Sequence, residues 1–141
     1  MEVKTVGVYG AGFMGRGIAQ VALEGGYDVV LYNHRTPTLE KGVAGIQKNF
    51  AKKVAKGKIT QEQADQWLGR MKATTTLEDL KDVDIVFEAM VENMELKKEA
   101  FAKMAPVIQP NAIFVSNTSS LSITELAAAS QRPGKFLGMH F

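Results

Sequence analysis

The 141 residues carry a formal net charge of +2, with 45% apolar and 23% charged side chains, the balance of an ordinary globular domain large enough for one real core. There is no cysteine, which excludes a disulfide framework and a thiolate metal site, and no metal is expected. No global field points to nucleic acid or a membrane and no apolar run approaches the roughly 20 residues of a spanning helix; Met1-Glu2-Val3-Lys4 leads straight into a strand rather than a secretory leader, so a cytoplasmic domain is expected.

The first strand is the apolar run Val6 to Tyr9. Gly10-Ala11-Gly12-Phe13-Met14-Gly15 follows and fits G-x-G-x-x-G, and Ile18, Ala19, Ala22 and Leu23 then continue at helical spacing. Each glycine has its own task in such a loop. Gly10 permits the tight turn, Gly12 removes a side chain so that a pyrophosphate can approach, and Gly15 lets helix and strand pack closely. The free amides and positive dipole end of the helix would hold the phosphates. A glycine-rich turn without a ligand is the alternative, and the order strand, loop, helix argues against it.

Gly25-Gly26 ends that helix and Asp28 to Tyr32 forms a second strand. Strand, helix and strand make a βαβ unit whose right-handed crossover gives a parallel pair. An acidic residue after the second strand would bond the adenosine 2′-hydroxyl and mark NAD. Here Asn33-His34-Arg35-Thr36 stands instead. Asn33 does not repel a 2′-phosphate and Arg35 can pair with one in a bidentate fork, so NADP(H) is mildly favoured over NAD(H). Alternatively, Asn33 caps a turn before Pro37 and still meets a ribose hydroxyl; His34 reads as a loop residue.

Thr38 to Lys56 is predicted as a long helix, with Leu39, Val43, Ile46, Phe50 and Val54 on one face, and Gly57 stops it. Thr60-Gln61-Glu62-Gln63 fits a capping box opening another helix that buries Ala64, Trp67, Leu68 and Met71. This helical pair is an insertion after the second strand. Lys48, Lys52, Lys53, Lys56 and Lys58 gather along it, either as a solvated face or as a site for an anionic tail such as the phosphates of coenzyme A. Nucleic acid is disfavoured, because no aromatic residue is interleaved to stack on bases.

Lys72 to Thr76 is expected as a third strand, Leu77 to Leu80 as a helical turn and Asp84 to Glu88 as a fourth strand. A helix over Met94 to Met104, a fifth strand over Ala112 to Ser116, a short helix over Ser122 to Ala129 and a sixth strand over Phe136 to Met139 complete the pattern. The whole reads as one α/β domain over residues 1–141, a doubly wound, mostly parallel Rossmann sheet in the order 3-2-1-4-5-6. Ligands in such sheets bind beyond the carboxyl edge, which singles out Gly10 to Gly15, Asn33, Glu88 to Lys97, Ser116 to Ser120 and His140. Glu92 and Lys97 would lie by a nicotinamide ribose. Asn117-Thr118-Ser119-Ser120 is a hydroxyl-rich loop or an N-cap cluster. A lone histidine such as His140 is often structural, and its strand-end position makes it a candidate base.

The chain resembles the N-terminal domain of the 3-hydroxyacyl-CoA dehydrogenase family. The matching stretches are Gly10 to Gln20, Lys56-Gly57-Lys58-Ile59-Thr60, Glu88-Ala89-Met90-Val91-Glu92-Asn93, Ser116 to Ile123 and Gly138-Met139-His140-Phe141. The resemblance implies interconversion of 3-hydroxyacyl-CoA and 3-oxoacyl-CoA with NAD(P), as in fatty acid metabolism. It makes His140 the general base and Ser119 the residue that bonds the reacting oxygen. Glu92, Lys97 and Asn117 fall on dinucleotide contacts, and Asn49 and Lys56 near coenzyme A contacts. Asn33 departs from the aspartate of NAD-using members. The family also continues into a glutamate that orients the histidine and a helical domain that forms the dimer. Without them these residues are expected to bind cofactor weakly and turn over little. Two other readings stay open: a β-hydroxyacid dehydrogenase domain using NADP, which the helical insertion and the Ser119/His140 pair disfavour, and a non-enzymatic nucleotide-binding domain.

Overall fold

A computed structural model describes residues 2–90, 93–117 and 123–139. The strands are β1 (Thr5–Tyr9), β2 (Asp28–Tyr32), β3 (Met71–Thr74), β4 (Ile85–Glu88), β5 (Ile113–Asn117) and β6 (Phe136–Met139), and the helices are α1 (Phe13–Glu24), α2 (Thr36–Ala55), α3 (Gln61–Gly69), α4 (Met94–Met104) and α5 (Ile123–Ala129). They form one six-stranded sheet in the order β3-β2-β1-β4-β5-β6, and every pair is parallel, as the sequence predicts.

The register aligns the strand ends. Tyr9 stands opposite both Tyr32 and Glu88, Glu88 opposite Ser116, and Asn117 opposite Met139. Five strands therefore finish together at one edge, where Gly10 and Asn33 begin their loops.

β1 is covered on both faces, so four of its five residues are buried. On one face Val6, Val8, Val29 and Leu31 meet Ala19 and Leu23 of α1, Ile46 and Phe50 of α2, and Ala64 of α3. On the other, Tyr9, Val30, Val86 and Phe114 meet Ala100, Phe101 and Met104 of α4, Leu126 of α5, and Leu80 and Val83 of the β3–β4 link. Among the described residues, no helix is long and apolar enough to cross a membrane.

Boundaries shift by one or two residues. α2 opens at Thr36, not Thr38, because Pro37 fits the first turn. β3 opens at Met71, and Thr74 ends it by turning inward, its hydroxyl donating to Asp79 Oδ2 at 2.6 Å. β4 and β5 each begin one residue later than predicted. The Thr60 hydroxyl accepts from the Gln63 amide at 3.1 Å and opens α3; the Asn93 side chain accepts from the Leu96 amide at 3.1 Å and opens α4.

Two long-range clasps were not read from the sequence. Asp84 Oδ2 accepts from the backbone amides of Lys4 (2.8 Å) and Thr5 (3.0 Å), tying β1 to β4 at their amino ends. Those two bonds hold the Asp84 carboxyl below its ordinary pKa. Arg132 forks into four carbonyls at the end of α4 and the approach to β5, those of Gln109 (2.6 Å), Ala112 (3.1 Å), Ala105 (3.1 Å) and Ile108 (3.0 Å). Its guanidinium carbon lies 4.1 Å from the Phe114 ring centroid, and burial lowers its pKa.

Candidate functional site

The glycine loop is held from three sides. Gly10 N–H donates to Tyr32 O at 2.7 Å and Ala11 N–H to the Asn33 Oδ1 at 3.1 Å, fastening the loop to the end of β2. Ala89 N–H donates to Tyr9 O at 3.0 Å from the β4 side. Gly10 has φ +116°, and Gly15 packs so close that a Cβ there would stand 1.7 Å from Gly10 O; both positions demand glycine. Gly12 differs: a Cβ would meet nothing within 4 Å.

That contrast tests the loop against a dinucleotide. Gly10 and Gly15 are fixed by the protein itself, whereas the space before Gly12 stays open for a ligand's approach. Gly12 is also the N-cap of α1, no side chain caps that end, and no acidic residue occupies the first turn. An uncapped helix N-terminus beside an open glycine fits a pyrophosphate. Exposed Phe13 and half-buried Met14 flank the opening.

At the end of β2, Asn33 is buried and its amide is doubly engaged: Oδ1 accepts from Ala11 N–H at 3.1 Å and Nδ2 donates to Arg35 O at 3.0 Å. The turn-capping role considered for Asn33 is thus one of its two contacts. His34 and Arg35 are exposed beside it.

At the centre of the edge lies a buried polar cluster. Glu88 and Lys97 are fully buried, with Lys97 Nζ 3.2 Å from Glu88 Oε1. The same oxygen accepts from the Ser116 hydroxyl at 2.6 Å, and Oε2 accepts from Met90 N–H at 2.6 Å. Lys97 therefore sits inside the protein at the base of the β4 loop rather than on an open surface. Next to it, burial pushes the Tyr9 phenol up to about 12, with help from Tyr32 and Glu88, so this hydroxyl stays neutral. Asn117 ends β5 opposite Met139. Glu92, Ser119 and His140 lie outside the described residues; the strands that precede them, β4, β5 and β6, end at this same edge.

Two hollows flank α1. One, about 820 Å³, is almost wholly apolar, lined by Val6, Ile18, Val21, Tyr27, Ile85 and Phe87, and offers little that could orient a polar ligand. The other, about 440 Å³, lies between α1 and α2 and is lined by Arg16, Gln20, Lys48, Asn49 and Lys52 among others. Asn49 Nδ2 donates to Gln20 Oε1 at 2.9 Å. Lys56 follows one turn beyond Lys52, exposed at the end of α2. Sequence reading named Asn49 and the lysines but not Arg16, whose neighbours on α2 only the fold supplies.

Residues 5–141 match the family described as 3-hydroxyacyl-CoA dehydrogenase, NAD binding domain. The chain belongs to this family. It is 47% identical over 139 residues to the 3-hydroxybutyryl-CoA dehydrogenase of Bradyrhizobium diazoefficiens, covering 99% of this chain and 47% of that protein. A probable 3-hydroxybutyryl-CoA dehydrogenase of Deinococcus radiodurans is 47% identical over 135 residues, 96% of this chain and 48% of its own length. The crystal structure of (S)-3-hydroxybutyryl-CoA dehydrogenase from Ralstonia eutropha superposes with a TM-score of 0.94 at 41% identity, over 99% of this chain and 50% of that one. The chain thus spans about half the length of these relatives.

Proposed function

We propose that the protein carrying this domain interconverts 3-hydroxyacyl-CoA and 3-oxoacyl-CoA with a nicotinamide dinucleotide, and that it does so at the carboxyl edge of the sheet. The observation that carries this reading is the loop from Gly10 to Gly15, in which a Cβ at Gly10 or Gly15 would strike backbone whereas one at Gly12 would meet nothing within 4 Å. A nicotinamide held there would supply the acceptor, or in reverse the donor, for the hydride at C3 of the hydroxyacyl group. His140 accepts the 3-hydroxyl proton in the oxidative direction, and Ser119 hydrogen-bonds the same oxygen. Glu92, Lys97 and Asn117 hold the nicotinamide side. For Lys97, which is fully buried, the role is indirect: its Nζ, 3.2 Å from Glu88 Oε1, helps fix the end of β4 at which the nicotinamide side would be held. Asn49 and Lys56 meet coenzyme A. Dimer formation belongs to the helical domain that relatives of this family add, and residues 1–141 by themselves bind cofactor but turn over little.

We further propose a mild preference for NADP(H). Asn33 supports it through one of its bonds: its Nδ2 donates to Arg35 O, where an aspartate oxygen would face a carbonyl. The floor of the adenosine pocket is then neutral, and Arg35 is free in solvent to pair with a 2′-phosphate.

The test is reduction of acetoacetyl-CoA by NADH or NADPH, followed at the absorbance of the reduced nicotinamide, in the whole protein and in its His140→Ala variant. Turnover that vanishes with His140 is expected. Turnover of free 3-hydroxy acids in place of the thioester, or activity indifferent to His140, contradicts the reading. A preference for NADH that survives Arg35→Ala contradicts the cofactor assignment alone.

A further inference from the structure

A row of side chains with polar tips crosses the sheet just inside its carboxyl edge: Tyr32, Tyr9, Glu88 and Ser116 stand in register, and all four are buried. Glu88 is the hub of the row. Its Oε2 accepts from Met90 N–H at 2.6 Å, two residues beyond the end of β4, and its Oε1 accepts from the Ser116 hydroxyl of β5 at 2.6 Å. Lys97 Nζ, from α4, lies 3.2 Å from the same Oε1. Glu88, Lys97 and Ser116 have no exposed surface. Taking such a pair out of water costs much of what its attraction returns, and well-packed apolar side chains of similar volume often give equal or greater stability. One carboxylate shared between two chain segments gives instead a fixed geometry. The two bonds fall where geometry matters. Met90 lies two residues before Glu92 and Ser116 three residues before Ser119, the residues assigned above to the nicotinamide side and to the reacting oxygen.

We propose that Glu88 is a positioning residue for hydride transfer. Its carboxylate, through Ser116, ties the point where the chain leaves β4 to the end of β5, and so sets the spacing between the segments that bear Glu92 and Ser119. The proposal rests on the acyl-CoA reading above. Backbone pairing between β4 and β5 runs from Ile85 opposite Ile113 to Glu88 opposite Ser116. Where that pairing ends the carboxylate takes over, reaching forward to Met90 and sideways to Ser116. Neither Glu88 nor Ser116 has surface with which to touch a substrate, so both act on the chemistry only through the segments they hold. A misplacement of about 1 Å can cost about a hundredfold in rate, and a fraction of that about tenfold.

The experiment compares the whole protein with its Ser116→Ala, Glu88→Gln and Asp84→Asn variants, below the melting temperature of each. The single-turnover rate of acetoacetyl-CoA reduction is followed by the fluorescence of NADH or NADPH, whichever the native protein turns over faster, and the dissociation constants of both ligands are titrated. Ser116→Ala removes only the bond across to β5. It is expected to lower the rate of hydride transfer about tenfold and to leave both dissociation constants within about twofold. Glu88→Gln is expected to lower the rate at least as much; should it not fold, Ser116→Ala alone decides. Asp84→Asn loosens β4 at its other end, and its rate is expected to stay within about twofold of the native value. A Ser116→Ala rate within twofold of native, a loss that Asp84→Asn matches, or a loss confined to the dissociation constants overturns the proposal. A native protein that binds the cofactor but leaves acetoacetyl-CoA unreduced overturns the acyl-CoA reading itself.

Discussion

Gly12 and Gly15 lie three residues apart in one motif, and the structure gives them opposite sensitivities. A Cβ at Gly15 would stand 1.7 Å from Gly10 O and 2.8 Å from its carbonyl carbon, so in Gly15→Ala the loop must retreat by more than an ångström. That retreat breaks the bonds that fasten it, Gly10 N–H to Tyr32 O at 2.7 Å and Ala11 N–H to Asn33 Oδ1 at 3.1 Å. Two buried bonds at about 1 kcal/mol each, with overpacking of about 1 kcal/mol, give a destabilisation of about 3 kcal/mol. For a domain of this size that lowers Tm by about 6–12 °C. Gly12 has φ −69° and open space before it, so Gly12→Ala should change stability by no more than about 0.5 kcal/mol. Its methyl group stands where the pyrophosphate would approach, and NADH affinity should fall at least about tenfold through lost bonds to a charged group. Thermal melts and NADH fluorescence titrations on both variants separate the effects. Equal destabilisation by the two substitutions, or undiminished NADH binding in a folded Gly12→Ala protein, refutes the division of labour within the loop.

Glu88→Gln removes the carboxylate from a fully buried pair and should cost about 3 kcal/mol, most of which the second substitution Lys97→Met restores; a urea double-mutant cycle with no coupling contradicts this. Arg132→Met strips four carbonyls of their donor and should cost about 3 kcal/mol by thermal melt, with Arg132→Lys recovering only part because an ammonium cannot fork. Asp84 has its folded pKa depressed, so its contribution is present above the ordinary carboxylate range and is lost as pH falls through the folded value. Asp84→Asn should therefore be less stable than the native chain at pH 7, by about 1 kcal/mol after solvent screening. The two should converge as the pH falls below the ordinary carboxylate range, and a gap that is constant with pH refutes the account.

Much of this fold is written locally. Val6 to Tyr9 and Asp28 to Tyr32 are short apolar runs bounded by glycine or polar residues, and the face from Leu39 to Val54 keeps a helical period; such patterns survive because the burial of each element is decided by its own spacing. The strand order follows from the crossover rule applied to those elements. Boundaries were less legible, since Thr36 and Pro37 read as loop residues until Pro37 is seen in a first turn. Long-range polar pairing was not legible at all. Nothing near Asp84 indicates that its acceptors face Lys4 and Thr5, and nothing near Arg132 points back to the carbonyls between Ala105 and Ala112. At the candidate site, the glycine spacing announced the loop. The doubly engaged Asn33 and the burial of Glu88 with Lys97 depend on residues brought together only by the folded sheet and helices.

The most direct measurement is an amide chemical-shift map of the labelled chain titrated with NADH. The account predicts that the largest shifts fall on Gly12, Phe13, Met14 and Gly15 at the start of α1, with Asn33 and Arg35 next. Shifts concentrated instead around Ile18, Tyr27 and Phe87 of the apolar hollow, with the glycine loop unmoved, would contradict it.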